Sequence, residues 1–184
     1  MTMPIMPGTH KLGPENASLR IETKRRGAAA KAGHDLVIGV RSWQATLEVG
    51  EDPDQNSLVL SADSGSMEVI EGTGGIKALT DEDKIEIKKT LEDEVLQPGP
   101  VEFKSIRVTP SEEGRIEVTG ELSMNGNAHR LDFDLELGPE GAVSARATLK
   151  QSDWGIEPYS GLFGTLKVRD EIEVVGDASL PSGR

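Results

Sequence analysis

The chain has no cysteine. Disulfides and thiolate metal sites are therefore excluded, and cysteine pairing gives no clue to the redox compartment. Aromatic residues are scarce, at 3 %, so an interior must be filled mostly by Leu, Val, Ile and Ala. No stretch approaches the ~20 apolar residues that a membrane-spanning helix requires. Positive charge is also in deficit: 20 Lys and Arg stand against 32 Asp and Glu, for a net charge of -12. That balance favours solubility and argues against a nucleic-acid backbone or an anionic membrane surface as the main partner. The first residues carry Pro4, Pro7 and Pro14 but no apolar run of signal-peptide length. This predicts a cytoplasmic protein with a disordered leader over residues 1–9, followed by a single domain over 10–184.

What the sequence does have is alternation. From Val101 to Leu137, apolar and polar residues follow one another with period two. Ile116, Val118, Leu122 and Met124 share one face, with Gly120 in register between them. Leu131, Phe133, Leu135 and Leu137 repeat the pattern after Asn125-Gly126-Asn127. Strict alternation broken by an Asn-Gly turn predicts paired antiparallel strands. Further strands are expected at 10–12, 17–23, 34–49, 58–63 (with an extension over 66–70), 142–150, 154–158 and 166–179. In the run 34–49 the apolar phase changes from even (Leu36, Ile38, Val40) to odd (Trp43, Ala45, Leu47, Val49), which predicts a bulge near Arg41-Ser42. One helix is expected over 80–96. Thr80 suits the N-cap, Asp81, Glu82 and Asp83 suit the first turn, and Ile87, Leu91 and Val95 form an apolar stripe.

About eight to ten amphipathic strands and one helix make an all-β chain. An open sheet of such strands would leave adhesive edges. The expected architecture is a closed antiparallel β-barrel of about eight strands with the helix at one end or over a seam; a two-sheet sandwich is the alternative.

Four stretches resemble one family. Val101-Glu102-Phe103-Lys104-Ser105 is similar to its apolar-x-Phe-x-Ser strand after the helix. Gly120-Glu121-Leu122-Ser123-Met124-Asn125-Gly126 is similar to its Gly-x-Leu-x-apolar-x-Gly hairpin. Ser152-Asp153-Trp154-Gly155-Ile156 resembles its aromatic-Gly-Ile piece, and Leu166–Val175 its last strand. Together, and in this order, they resemble the YceI-like family of polyisoprenoid-binding, lipocalin-like barrels over roughly residues 10–179. The chain departs from the family pattern in its opening, His10-Lys11-Leu12-Gly13, and around Gln151-Ser152, where the family usually has arginine. The resemblance implies an apolar partner such as a polyisoprenoid.

Candidate site residues follow from the inward faces. Leu19 and Ile21, then Leu36, Ile38 and Val40, then Val118 and Leu122, then Phe133 and Leu135, and finally Ala145 and Ala147 are expected to line an elongated apolar cavity. The motive is the small residues Ala17, Ala45, Ala62, Ala145, Ala147 and Gly120, which share a phase with large neighbours and leave volume in a barrel; the alternative is that the alanines accommodate bulky side chains from the opposite wall. Trp154 and Phe163, in an irregular Gly/Pro-containing segment, are expected at the cavity entrance, with burial in the core as the alternative for each.

His34 and Arg26 are expected on a polar rim. For His34 the alternative is a strand-start histidine bonded to backbone, and for Arg26 a scattered surface charge. The three histidines lack metal-ligand spacing, and Gly72-Thr73-Gly74-Gly75 fails as a dinucleotide fingerprint because Lys77 occupies the third glycine position. No metal, cofactor or catalytic residue is expected. The function expected is non-catalytic binding of an isoprenoid or other lipid. The alternative is a closed-core barrel acting as a structural, stress-associated or protein-interaction module, and a homodimer is compatible with either.

Overall fold

The computed structural model describes residues 3–161 and 166–181. In chain order the strands are β1 (Gly8–Leu12), β2 (Ala17–Glu22), β3 (Arg25–Arg26), β4 (Asp35–Val40), β5 (Trp43–Val49), β6 (Ser57–Asp63) and β7 (Met67–Thr73). Helix α1 (Asp81–Thr90) follows. Next come β8 (Pro100–Pro110), β9 (Ile116–Met124), β10 (Asn127–Leu137), β11 (Ala142–Lys150), β12 (Ser160–Gly161), β13 (Leu166–Val168) and β14 (Glu171–Ser179).

Eleven strands form one antiparallel sheet in the order β1-β5-β6-β8-β9-β10-β11-β14-β2-β4-β7, and β12-β13-β3 form a small second sheet. The alternation in the sequence becomes alternation in space. Along β9 the residues Ile116, Val118, Gly120, Leu122 and Met124 are all buried while Glu117 and Glu121 are exposed. The β9–β10 turn is the expected Asn-Gly hairpin: Met124 pairs with Asn127, and Asn125 and Gly126 adopt φ 52° and 71°. Both central residues need positive φ, which asparagine and glycine tolerate best.

Closure comes from two bent strands. Only Arg41 and Ser42 separate β4 from β5, yet β4 pairs with β2 and β7 while β5 pairs with β1 and β6. Likewise, a short turn at Ser64–Ser66 carries the chain from β6 into β7. The two corners are bonded to each other: Arg41 N donates to Ser66 O at 3.2 Å, Asp63 N to Ser42 O at 3.0 Å, and Ser42 N to Ser66 Oγ at 2.9 Å. A path that starts at β5 and crosses β6, β8, β9, β10, β11, β14 and β2 therefore arrives at β4 and returns through the backbone to β5. Counting each bent pair as one strand, the circuit has about eight walls, and β1 is an addition at one edge. The phase change near Arg41 is this corner rather than a bulge within one strand. The bulges lie elsewhere, in the β4–β7 pairing beside Val37 and in β8 between Ser105 and Arg107.

Four other expectations change. The leader is not loose: Ile5 is 3 % exposed and belongs to the main core together with Leu180 and Leu137. The expected strand at 154–158 is replaced by a short turn over Gln151–Trp154, and the run 166–179 breaks into β13 and β14. The helix is also shorter than the periodicity predicts. Thr80 and Asp83 form a reciprocal capping box at its N-terminus, but a wider turn, closed by Leu96 N donating to Leu91 O, replaces it over Leu91–Val95. Lys88 fixes this end of the helix to the corner. Its Nζ donates to Gly65 O at 2.9 Å and Met67 O at 2.6 Å, and pairs with Glu92 at 3.2 Å.

Candidate ligand cavity

The interior of the barrel is not completely filled. A cavity of about 280 Å³ runs between the walls, close to the lower end of the ~300–1,000 Å³ range of ligand pockets. Hydrocarbon supplies nearly all of its lining. β2 provides Leu19 and Ile21, β4 Ile38 and Val40, β9 Leu122, β10 Phe133 and Leu135, and β11 Ala145 and Ala147. The small residues Ala17, Ala45 and Ala62 also border it. Leu91, Val95 and Leu96 reach it from the wide turn after α1, so the helix stripe partly closes the cavity. Lys88 determines where that closure sits.

Several expected site residues are placed elsewhere. Leu36 packs against Ile38, Val40 and Met67 without reaching the cavity. Val118 is 1 % exposed and lies in solid core, paired across the sheet with Phe133 and Val108. Gly120 does not leave space for a ligand. A Cβ there would meet Phe103 Cζ at 2.4 Å, so the Phe103 ring fills the volume that the glycine vacates. Phe103 in turn lies 5.4 Å from Phe133, ring centre to ring centre. Phe163 lies outside the described residues.

Trp154 is a structural anchor rather than an entrance residue. It is 2 % exposed, and its Nε1 donates to Leu122 O at 2.8 Å. Its own carbonyl accepts from Asn125 Nδ2 at 3.0 Å and Asn127 Nδ2 at 2.9 Å. The tight turn after β11 is thereby fixed to the β9–β10 hairpin, with Gly155 at φ 69° ending it.

The rim residues also behave structurally. His34 Nε2 lies 2.7 Å from Lys77 O and packs over Gly75, which holds the glycine-containing loop after β7 in place. Arg26 is exposed and pairs with Lys167 in the small sheet. Neither borders the cavity. Arg25 is the basic residue engaged here: its side chain donates to Gly33 O and contacts Asp35 at 3.7 Å.

The sequence reading missed Trp43, Met67, Leu96 and Val174 as wall residues, and Thr23 and Gln151 as polar ones. Trp43 and Val174 were reachable from alternation within their own strands. Met67 and Leu96 follow corners, where periodicity gives no guidance.

The model of one family, the YceI-like domain, matches residues 14–180. This chain belongs to the YceI-like family. No curated protein sequence matches it. Among solved structures, BcnA of Burkholderia cenocepacia is similar, with a TM-score of 0.61 and 14 % identity over 88 % of this chain and 94 % of that one. A mutant YCEI protein of Campylobacter jejuni, crystallised with a monobromobimane guest, has a TM-score of 0.54 and 12 % identity over 80 % of this chain and 85 % of that one. At these identities the likeness is one of fold. The antiparallel lipocalin-like barrel with one main helix is thus the fold of this YceI-like chain. Among its described residues no helix is long and apolar enough to cross a membrane.

Proposed function

We propose that this YceI-like barrel is a non-catalytic carrier that holds an elongated apolar ligand, an isoprenoid or another lipid chain, in its cavity. The observation that carries this reading is an internal space of about 280 Å³ whose walls are Leu, Ile, Val, Ala and Phe drawn from most strands of the barrel. Each methylene moved from water into such a space is stabilised by ~0.8 kcal/mol, so a single chain needs few polar contacts to stay bound. The family's polyisoprenoid-binding character points the same way. A cytoplasmic location belongs to the same proposal, and cell fractionation tests it.

The direct test is organic extraction of the purified protein followed by mass spectrometry, together with uptake of a neutral fluorescent apolar probe. The expected result is a recovered lipid chain, or an emptied protein that takes up the probe. A protein that retains no lipid and takes up no probe would be a packed barrel, and the carrier reading would fall.

A further inference from the structure

The cavity has a polar end. Strands β11, β14 and β2 lie side by side, with Lys150 opposite Glu171 and Glu173 opposite Glu22. Gln151 and Thr23, which follow Lys150 and Glu22, therefore emerge at the same end of the barrel. Gln151 is 7 % exposed and Thr23 9 %, and both line the cavity. At the other end of the same strands Ala17, Ala178 and Val143 pair across the sheet, and these also border the cavity.

The protein satisfies each of the two polar groups only in part. Gln151 Nε2 donates to Arg169 O at 3.1 Å, and its Oε1 receives no hydrogen bond from a described residue. The sealed side-chain polar atoms without a partner, among the described residues, are Trp43 Nε1 and Arg115 Nε. Gln151 Oε1 is not one of them, and the residue itself borders the cavity. Thr23 Oγ1 accepts from Leu36 N at 3.3 Å, and among the described residues its O–H has no acceptor.

Charge narrows the choice of head group. Among the described residues, the ionisable ones bordering the cavity are Asp63 and Asp177, and none is Lys, Arg or His. Asp177 is bound to Arg20 at 2.7 Å, and Asp63 Oδ1 accepts from Gly65 N at 2.8 Å. A carboxylate or phosphate head would have no cation to pair with there and would face the lone pairs of Gln151 Oε1. Burying an unpaired charge is strongly unfavourable, whereas a hydroxyl both donates and accepts.

Resting on the carrier reading above, we propose that the ligand is a single-chain lipid with an uncharged hydroxyl head. Its hydroxyl donates to Gln151 Oε1 and accepts from Thr23 Oγ1. Its chain runs toward Ala17, Val143 and Ala178.

The test is displacement of the neutral probe N-phenyl-1-naphthylamine from delipidated full-length protein by dodecanol, dodecanoate, dodecylammonium and dodecane near neutral pH. Dodecanol should displace the probe at a concentration about tenfold below that of dodecanoate or dodecane, the scale of a satisfied buried hydrogen bond. Gln151→Leu should remove that advantage, so that dodecanol and dodecane displace the probe at similar concentrations. Gln151→Arg should reverse the order and favour dodecanoate. Thr23→Val gives a second arm and should weaken dodecanol but not dodecane. Dodecanoate binding as well as dodecanol to the wild type, or an unaltered ranking in the Gln151 and Thr23 variants, would overturn the head-group assignment alone. Failure of the wild type to bind the probe or any of the chains would remove the carrier reading beneath it.

Discussion

Gly120 on β9 and Ala147 on β11 are both small residues at inward positions, and only Ala147 borders the cavity. Around Gly120 the barrel is solid. Phe103 from β8 lies over it, Val118 and Ile116 are 1 % and 0 % exposed, and Phe133 closes on Phe103 from β10. Around Ala147 the neighbouring wall residues are Ala145 on the same strand and Val174 on β14, with Leu19 and Ile21 on β2 beyond. A small side chain therefore makes room only when no neighbouring strand supplies a ring to occupy it. Phe103 on β8, Phe133 on β10 and Trp43 on β5 reach inward; β2, β11 and β14 contain no aromatic residue. Scarce aromatics, absent from β2, β11 and β14, leave that half of the barrel the hollow one and the half around β8–β10 the more tightly packed.

The largest effect separating the halves is expected at Phe103. Phe103→Ala should destabilise the fold by ~3–5 kcal/mol, because it opens a cavity in the packed half. Leu19→Ala removes a smaller side chain from a half-buried position and should cost distinctly less, and urea unfolding of the two variants measures the contrast. Equal losses would mean that the halves do not differ in packing.

Adding volume reverses the logic. Gly120→Ala places a methyl 2.4 Å from Phe103 Cζ and 2.6 Å from Lys104 O, so it should cost ~1–3 kcal/mol by overpacking. Ala147→Phe introduces a far larger group and should cost less than about 1 kcal/mol while abolishing probe uptake. A severe loss of stability in Ala147→Phe would show that the second half is closed as well.

A smaller effect is expected at the closure. Lys88→Met keeps the side chain's apolar stem but removes the donors to Gly65 O and Met67 O. It should lower stability by about 1 kcal/mol and speed release of a bound probe, measured by stopped flow. Unchanged release would mean that the turn over Leu91–Val95 does not control access.

The smallest effect concerns pH. The Ser152 hydroxyl, aided by the Ser152 N–H and weakly by Lys150 and Arg26, holds the Asp170 carboxyl below its ordinary pKa. The folded pKa is therefore lower than the unfolded one. The resulting stability is present above the ordinary carboxylate range near ~4 and is lost as pH falls through the folded value. Asp170→Asn should flatten this acid limb, seen in denaturation midpoints, by about 0.5 kcal/mol or less.

Much of the packed half was legible in the sequence, because its signals are local. The Asn-Gly turn set the β9–β10 register, and alternation identified the buried face of both strands. Thr80 as N-cap and the acidic first turn Asp81, Glu82 and Asp83 marked the helix start within four residues. The hollow half was less legible. Whether Gly120 or Ala147 leaves space depends on which side chain faces it from another strand, and single-strand periodicity does not contain that information. Ile5 escaped notice because one apolar residue among prolines has no period. The corner at Arg41 was visible as a change of phase, but a bulge and a corner produce the same change, and only pairing partners distinguish them. His34 and Trp154 attracted functional readings by residue type; both turned out to hold turns together through backbone carbonyls.

The way the circuit closes also sets a schedule for folding. β8, β9 and β10 are consecutive in the chain and pair with one another, so the packed half needs only short-range contacts to assemble. The ring is completed by β14 lying between β11 and β2, which joins Glu173–Ala178 to Ala17–Glu22 across almost the whole chain. Contacts of such sequence separation form late and slowly. On the ribosome the packed half should be in place before the hollow half has its last wall, and until Glu171–Ser179 emerges β2 and β11 present bare edges to any strand nearby. A chain truncated before Glu171 is accordingly expected to aggregate rather than to persist as a smaller barrel.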